Sequence, residues 1–273
     1  MIQLMFNPSP ALSEIVAHFW YSKVDLSGAV LQYYPTPLLQ GLAFNFRRLE
    51  EHHVYNNKVV TLYKQAYLFG QPTGPRETTT HEEGIDILGV RFKPLGITKV
   101  TGINMEHMAD QIIAAEDIWG REIELLCDEM QSANCLEDAI QVLETFLLNK
   151  YNSTRLHYRV DHVSNALSLI EHTQGAINIK ELQSQTNTSR KTLERAFLNY
   201  VGLHPKLYSQ IVRYNAAKER IDNMLFSRNL SELAYDLGYY DGSHFAAEFK
   251  RFSGATPREY IYNATKADAE GDA

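Results

Sequence analysis

Lys191 and Arg195 stand four residues apart, about one helical turn, with Glu194 beside them and Ser189-Arg190 just ahead. At 100° per residue Leu193, Ala196, Phe197 and Tyr200 fall on one face of such a helix. Lys191 and Arg195 then point the opposite way, Glu194 and Thr192 sit on the shoulders, and Arg190 lies nearer the inner edge. Ser189 is a favoured N-cap, so the helix can begin there and run through Tyr200. A short helix with an apolar back and a Lys/Arg front fits a major groove. There an Arg fork can bond guanine O6 and N7, and a Glu can accept from cytosine. The plain alternative for two surface cations is a solvated helix face.

What lifts these residues above that alternative is a duplication. Phe197, Tyr200, Gly202, Pro205 and Tyr208 recur as Phe249, Phe252, Gly254, Pro257 and Tyr260, all at an offset of 52. Upstream, Asn178-x-x-Glu181 and Asn229-x-x-Glu232 recur at an offset of 51, each fitting a variant capping box. Leu182 and Leu233 follow, then Asn187 and Gly238, residue types that enter the left-handed conformation cheaply. Each copy therefore reads as a helix, a sharp turn and a second helix. In the second copy Asp241 or Ser243 caps the helix, and Phe245 and Phe249 face inward. Ser243, Ala246, Ala247 and Lys250 face outward, a small front suited to the DNA backbone or thymine methyls. For His244 a capping role and a phosphate contact both stay open. Between the copies Pro205 can start a long helix to about Asn223, a rigid spacer that would place two reading helices about one DNA turn, ~34 Å, apart.

The charge is consistent with this division of labour. The 273-residue chain has a formal net charge of −7. From His157 to Tyr262 there are 13 Lys and Arg against 11 Asp and Glu, which leaves 13 against 22 for the rest. The acidic excess thus lies outside the duplicated region.

The first 93 or so residues are of strand type, as in Gly41–Arg47, Val59–Tyr63 and Ile85–Phe92, with turns at Pro35-Thr36-Pro37 and Gln71–Pro75. A helix is expected near Pro10–Phe19, where Leu12, Ile15, Val16 and Phe19 share a face. After Lys93-Pro94 helical stripes run through Ile123, Leu126 and Met130, then Ile140, Leu143 and Leu147. The polar run from Asn149 to Arg155 is expected to break the helix and mark the domain boundary. The expected layout is a β-rich sensor or dimerisation domain over 1–150, a linker over 151–156, a double helix-turn-helix domain over 157–262 and a flexible tail over 263–273.

Chemistry other than binding has no visible seat. Cys127 and Cys135 read as buried thiols, and His18, His52, His53 and His81 lack metal-ligand spacing. His81-Glu82-Glu83-Gly84 is not HExxH, and no Walker loop, GxGxxG or GxSxG is present. No catalytic residue, metal or cofactor is expected. Tyr33, Tyr34, Phe44, Phe46 and Arg91 are weak candidates to line a ligand cavity in a barrel mouth, against a plain-core reading. The start of the chain lacks secretory-signal features and no run suits a membrane span, so a cytoplasmic location is expected.

Residues 157–262 resemble the DNA-binding domain of AraC/XylS-type transcriptional regulators. The resemblance rests on Leu182, Ser189, Arg190, Leu193, Arg195, Phe197, Gly202, Pro205, Tyr208 and Arg213, then Leu233-Ala234, Gly238-Tyr239, Ser243, Phe245, Phe249-Lys250, Gly254, Thr256-Pro257 and Tyr260. It implies seven helices with two helix-turn-helix units joined by a long helix, and a role in activating or repressing transcription. It also implies base or phosphate contacts at Lys191, Glu194 and Arg195. Gln183 replaces a small residue of the family pattern, Asn187-Thr188 its Gly-hydrophobic turn, and Ala247 its usual Arg. The first half resembles, in architecture alone, the β-rich domains attached to such regulators.

The expected class is α+β: a barrel-like β-rich domain with flanking helices, then the all-α domain. The candidate DNA-contacting set is Ser189, Arg190, Lys191, Glu194, Arg195, Ser243, His244 and Lys250. Double-stranded DNA is the expected partner, with RNA polymerase, a small-molecule effector and a second copy of the chain as further candidates and no membrane. The competing readings are a β-barrel metabolite enzyme fused to a DNA reader, and a regulator controlled by protein contact alone.

Overall fold

Strands fill the first part of the chain, where aromatic and β-branched residues alternate. A computed structural model describes residues 2–25, 30–47, 51–55, 58–62, 64–80, 84–154, 160–223 and 229–271. Within it β1 (Ile2–Phe6), β2 (Val16–Val24), β4 (Gln40–Asn45), β7 (Ala66–Phe69), β9 (Ile85–Phe92) and β10 (Ile112–Ala114) form a six-stranded sheet in the order β1-β2-β9-β4-β7-β10. A second sheet has the order β3-β8-β5-β6, from β3 (Val30–Tyr34), β5 (Glu51–Tyr55), β6 (Lys58–Leu62) and β8 (Arg76–Thr80). Neighbouring strands run antiparallel throughout. Phe19, Leu42, Phe44, Leu68, Leu88 and Val90 are fully buried inside the larger sheet's core. Trp20 lies in register with Gly89, and its ring comes within 2.1 Å of where a Cβ at 89 would stand, so that position needs glycine.

The helix expected over Pro10–Phe19 does not form. Leu12, Ile15, Val16 and Phe19 are buried as a shared face would have them, but the chain makes a turn to Ile15 and enters β2 at Val16. The aromatic and β-branched run Val16–Tyr21 pairs with β1 on one side and β9 on the other, which satisfies its backbone groups and suits those side chains better.

Helices close this domain: α1 (Gly96–Thr101), a 3-10 turn at Met105–His107, α2 (Glu116–Trp119), α3 (Arg121–Gln131) and α4 (Leu136–Ser153). Here α4 runs through the polar stretch that was expected to end it at 149. Its last turns are held by tertiary contacts: Lys150 pairs with Glu122, and the Tyr151 hydroxyl donates to Glu14 Oε2 at 2.6 Å. Such contacts outweigh the weak helix propensity of Asn and Ser. Cys127 is buried in α3, whereas Cys135 is exposed at the N-cap of α4, contrary to the expected pair of buried thiols.

Among the described residues seven helices follow, as the resemblance implied: α5 (Asp161–His172), α6 (Ile179–Thr186), α7 (Arg190–Val201), α8 (Pro205–Asp222), α9 (Leu230–Asp236), α10 (Gly242–Ser253) and α11 (Pro257–Gly271). They share one core, with Leu193, Phe197, Tyr214, Phe245, Phe249 and Phe252 almost wholly buried. α8 has 18 residues, so it spans about 27 Å. α11 stays helical to Gly271, past residue 263 where the tail was expected to begin. Among the described residues no helix is long and apolar enough to cross a membrane.

Candidate nucleic-acid interface

The first unit is built as its sequence dictates. Asn178 Oδ1 accepts from the Glu181 backbone N–H at 3.0 Å and starts α6, although the Glu181 carboxylate accepts from Asn178 Nδ2 instead of closing a capping box on the backbone. Asn187 ends α6 in the left-handed conformation, φ 48° and ψ 42°, so an Asn takes the place of the expected family glycine. Ser189 then caps α7, its Oγ accepting from the Thr192 N–H at 3.2 Å. Leu193, Ala196, Phe197 and Val201 are buried, and Ser189, Arg190, Lys191 and Arg195 are exposed. Glu194 is half-buried and bound to Arg190, with Nε donating to Oε1 at 2.9 Å. Lys191 and Arg195 form no ion pair among the described residues, so the front of α7 presents two available cations one turn apart.

The second unit has a different face. Asp241, not Ser243, caps α10, accepting from the His244 N–H at 2.7 Å. Ser243, His244, Ala247 and Lys250 are exposed, and Arg251 is a further exposed cation that sequence reasoning passed over. Tyr240, 93% exposed, stands in the turn just before α10.

Glu248 was also missed. It lies on the buried side of α10, where Arg213 of α8 grips it through Nη2 at 2.8 Å and Nε at 3.0 Å, and Gln210 Nε2 adds a bond at 2.8 Å. Arg213 also stacks 4.1 Å from the centre of the Tyr239 ring. The signal was present: Glu248 falls three residues after Phe245 and four before Phe252, on the apolar stripe, where a carboxylate needs a partner.

A family model described as a helix-turn-helix domain matches residues 182–262. The HTH-type transcriptional regulator ArgR of Pseudomonas aeruginosa is 29% identical over 98 residues, 36% of this chain and 29% of that one. This domain is of the AraC/XylS type. The chain thus spans under a third of that curated relative. Residues 4–114 match a second model, a domain of unknown function (DUF6597). ToxT of Vibrio cholerae O395, bound to (E)-4-(8-methylnaphthalen-1-yl)but-3-enoic acid, is similar in fold. Its TM-score is 0.50 at 14% identity, over 89% of this chain and 98% of that one. An AraC-type transcriptional regulator of Chromobacterium violaceum is 25% identical over 37% of this chain and 89% of its own, with a TM-score of 0.34.

The AraC-type domain packs against the β-rich domain, and a cavity of about 230 Å³ lies between them. His18, Gln40, Gln71 and Arg91 line it from the β-rich side, Glu171 of α5 and Tyr208 of α8 from the AraC-type side. The Tyr208 hydroxyl donates to Glu171 at 3.3 Å, and burial, with that carboxylate beside it, pushes its pKa far up. Burial, with Arg91 nearby, lowers that of His18. Gln40 Nε2 donates to a backbone carbonyl of α7, and its buried Oε1 has no donor among the described residues. Of the ligand candidates read from sequence, Arg91 reaches this cavity, and its guanidinium donates to the Leu38 carbonyl. Phe44 is fully buried in the sheet core and Phe46 packs against it, both in the plain-core role. The side chains of Tyr33 and Tyr34 lie outside the described residues, as do His81 and the side chains of His52 and His53.

Proposed function

We propose that this chain is a sequence-specific DNA-binding transcription regulator that reads DNA chiefly through α7. The observation that carries the reading is the exposed Lys191–Arg195 face, without an ion pair among the described residues, on a capped helix whose back buries Leu193, Ala196 and Phe197. Lys191 serves as a phosphate contact and Arg195 as the bidentate base reader, with Ser189 and the start of α7 facing a phosphate. Glu194 acts first by orienting Arg190, because that ion pair already occupies it. The front of α10 offers Ser243, His244 and Lys250 to the backbone and Arg251 as its one guanidinium fork for a base, so the second unit reads less sequence than the first.

The test is anisotropy titration of the full chain with DNA selected from a random library. Binding should weaken steeply with salt. Arg195→Ala should cost about 1–3 kcal/mol and relax one base position, while Lys191→Ala should weaken all sequences alike and flatten the salt slope. Equal binding by Arg195→Ala and the parent would refute the reading face.

A ligand-responsive form of this reading is favoured by the interdomain cavity. The matching effector is a small molecule with an anionic group for Arg91 and an N–H or O–H for Gln40 Oε1, at the point where both domains feel it. ToxT was solved with a carboxylic acid bound. Carboxylic and amino acids screened by thermal shift should include one that raises the Tm of the parent and not of Arg91→Gln. A shift of equal size in both would place the effector elsewhere. RNA polymerase and a second copy of the chain are the natural further partners, and a cytoplasmic location follows from the same role.

A further inference from the structure

The ends of the two reading helices are not left to solvent. The last carbonyls of any helix lack intrahelical donors and must find others. In α7 the Tyr200 carbonyl accepts from Thr98 Oγ1 at 2.9 Å and the Val201 carbonyl from Gln40 Nε2 at 2.9 Å. In α10 the Phe252 carbonyl accepts both the backbone N–H of Thr36, at 2.9 Å, and its Oγ1, at 2.8 Å. All three donor residues belong to the β-rich domain and are buried, with exposures of 0% for Thr36, 4% for Gln40 and 1% for Thr98. Tyr200 and Phe252 are equivalent positions of the duplication, 52 residues apart. One domain therefore places a threonine hydroxyl on the same carbonyl of both units.

Thr36 and Gln40 are the two ends of one segment, and that segment is tied down along its length. Prolines at 35 and 37 restrict its backbone. Gln71 accepts from the Leu39 N–H at 3.0 Å and donates to the Pro37 carbonyl at 2.6 Å, and Arg91 donates to the Leu38 carbonyl. Asn215 of α8 donates to the Thr36 carbonyl at 3.3 Å, which joins the spacer helix to the same segment.

Resting on the reading that this domain binds DNA, we propose that Thr36–Gln40 is a positioning strap. It fixes α10 relative to α7 and so sets which spacing of two groove segments the protein accepts. α8 and the shared core join the two units by apolar side-chain packing, as where Tyr214 meets Phe252, which fixes distance more than direction. The strap closes the frame at the C-terminal ends, opposite the caps that face DNA, where a small shift at one carbonyl tilts the whole reading helix. Thr36 and Gln40 are thereby positioning residues that touch no nucleotide.

The experiment uses the full chain and sites selected from a random library, rebuilt with one or two base pairs added between the two contacted segments. The parent should lose at least about tenfold in affinity on one added pair, the scale of a lost base-pair contact. The variant Thr36→Val with Thr98→Val, which removes both hydroxyls and leaves the cavity lining intact, should keep its affinity for a single segment, while its penalty for the added pair shrinks to about threefold or less. Thr36→Ser, which keeps the hydroxyl, should behave as the parent. Thr98→Val removes one bond alone and gives a milder version if the double variant does not fold. A double variant that discriminates spacing as sharply as the parent overturns the strap and leaves DNA reading intact. A parent that selects no DNA sequence overturns the DNA reading, and the strap falls with it.

Discussion

Arg213 and Glu248 illustrate how far single residues can be understood from their surroundings. Their pair is nearly dry, with side chains 12% and 3% exposed, so removing one partner leaves a charge buried and unmatched. Glu248→Ala should therefore cost about 3–5 kcal/mol in urea denaturation. Replacing both, as Arg213→Met with Glu248→Leu, should cost clearly less. A double variant as unstable as the single one would contradict this account. His18 gives a second prediction, in pH. Burial and the nearby Arg91 lower its pKa below the usual 6.5, so over the window just below 6.5 the unfolded chain binds the extra proton. Stability should then fall as pH drops through that window and level off below the folded-state value. His18→Gln should flatten this slope, as seen in thermal melts between pH 7.5 and 5.5, and an unchanged slope would rule His18 out. At this scale the α7 front was legible, because Lys191, Arg195 and the apolar back obey one 3.6-residue period. Glu248 left only a hint, and Thr36, Gln40 and Thr98 left none, since their partners are backbone carbonyls more than 100 residues away.

Elements were most legible where a cap or a fixed conformation leaves a residue-type signature. Ser189, Asn178, Pro205 and the glycines at 202 and 254 all do what their types suggest. Ser189→Ala should cost about 1 kcal/mol through the lost cap and weaken DNA binding by fraying the first turn of α7, which helicity and anisotropy can follow together. Gly202 carries a double constraint. Its φ of 83° is left-handed, and a Cβ there would meet the Met105 carbonyl of the β-rich domain at 2.7 Å. Gly202→Ala should therefore cost more than the ~1–2 kcal/mol of the backbone alone. Gly254→Ala, at φ 79°, offers the same backbone strain for comparison, and equal losses at both sites would deny the interdomain contact its part. The elements that misled were those decided by tertiary pairing. Residues 10–19 carry a helical stripe, yet two neighbouring strands claimed Val16 onward. The end of α4 carries polar residues, yet Glu14 and Glu122 held it.

For the whole molecule the question is whether two domains respond as one. The interface is polar where it matters: buried Thr36, Gln40 and Thr98 are matched to helix-end carbonyls, and Leu95 of the β-rich half packs into the core of the AraC-type domain. Separation exchanges each of those bonds for bonds to water, a net loss of about 0.5–1.5 kcal/mol apiece. Both tryptophans, Trp20 and Trp119, lie in the β-rich domain, while the AraC-type domain is wholly helical among the described residues. Tryptophan emission thus follows one half, and ellipticity at 222 nm is weighted to the other. In the parent protein the two denaturation curves should coincide, the signature of a cooperative unit. In Thr36→Val with Gln40→Met the ellipticity curve should move to lower urea than the emission curve. Curves already separate in the parent would mean that the domains unfold independently, and that a signal held in the β-rich half has no rigid path to the reading helices.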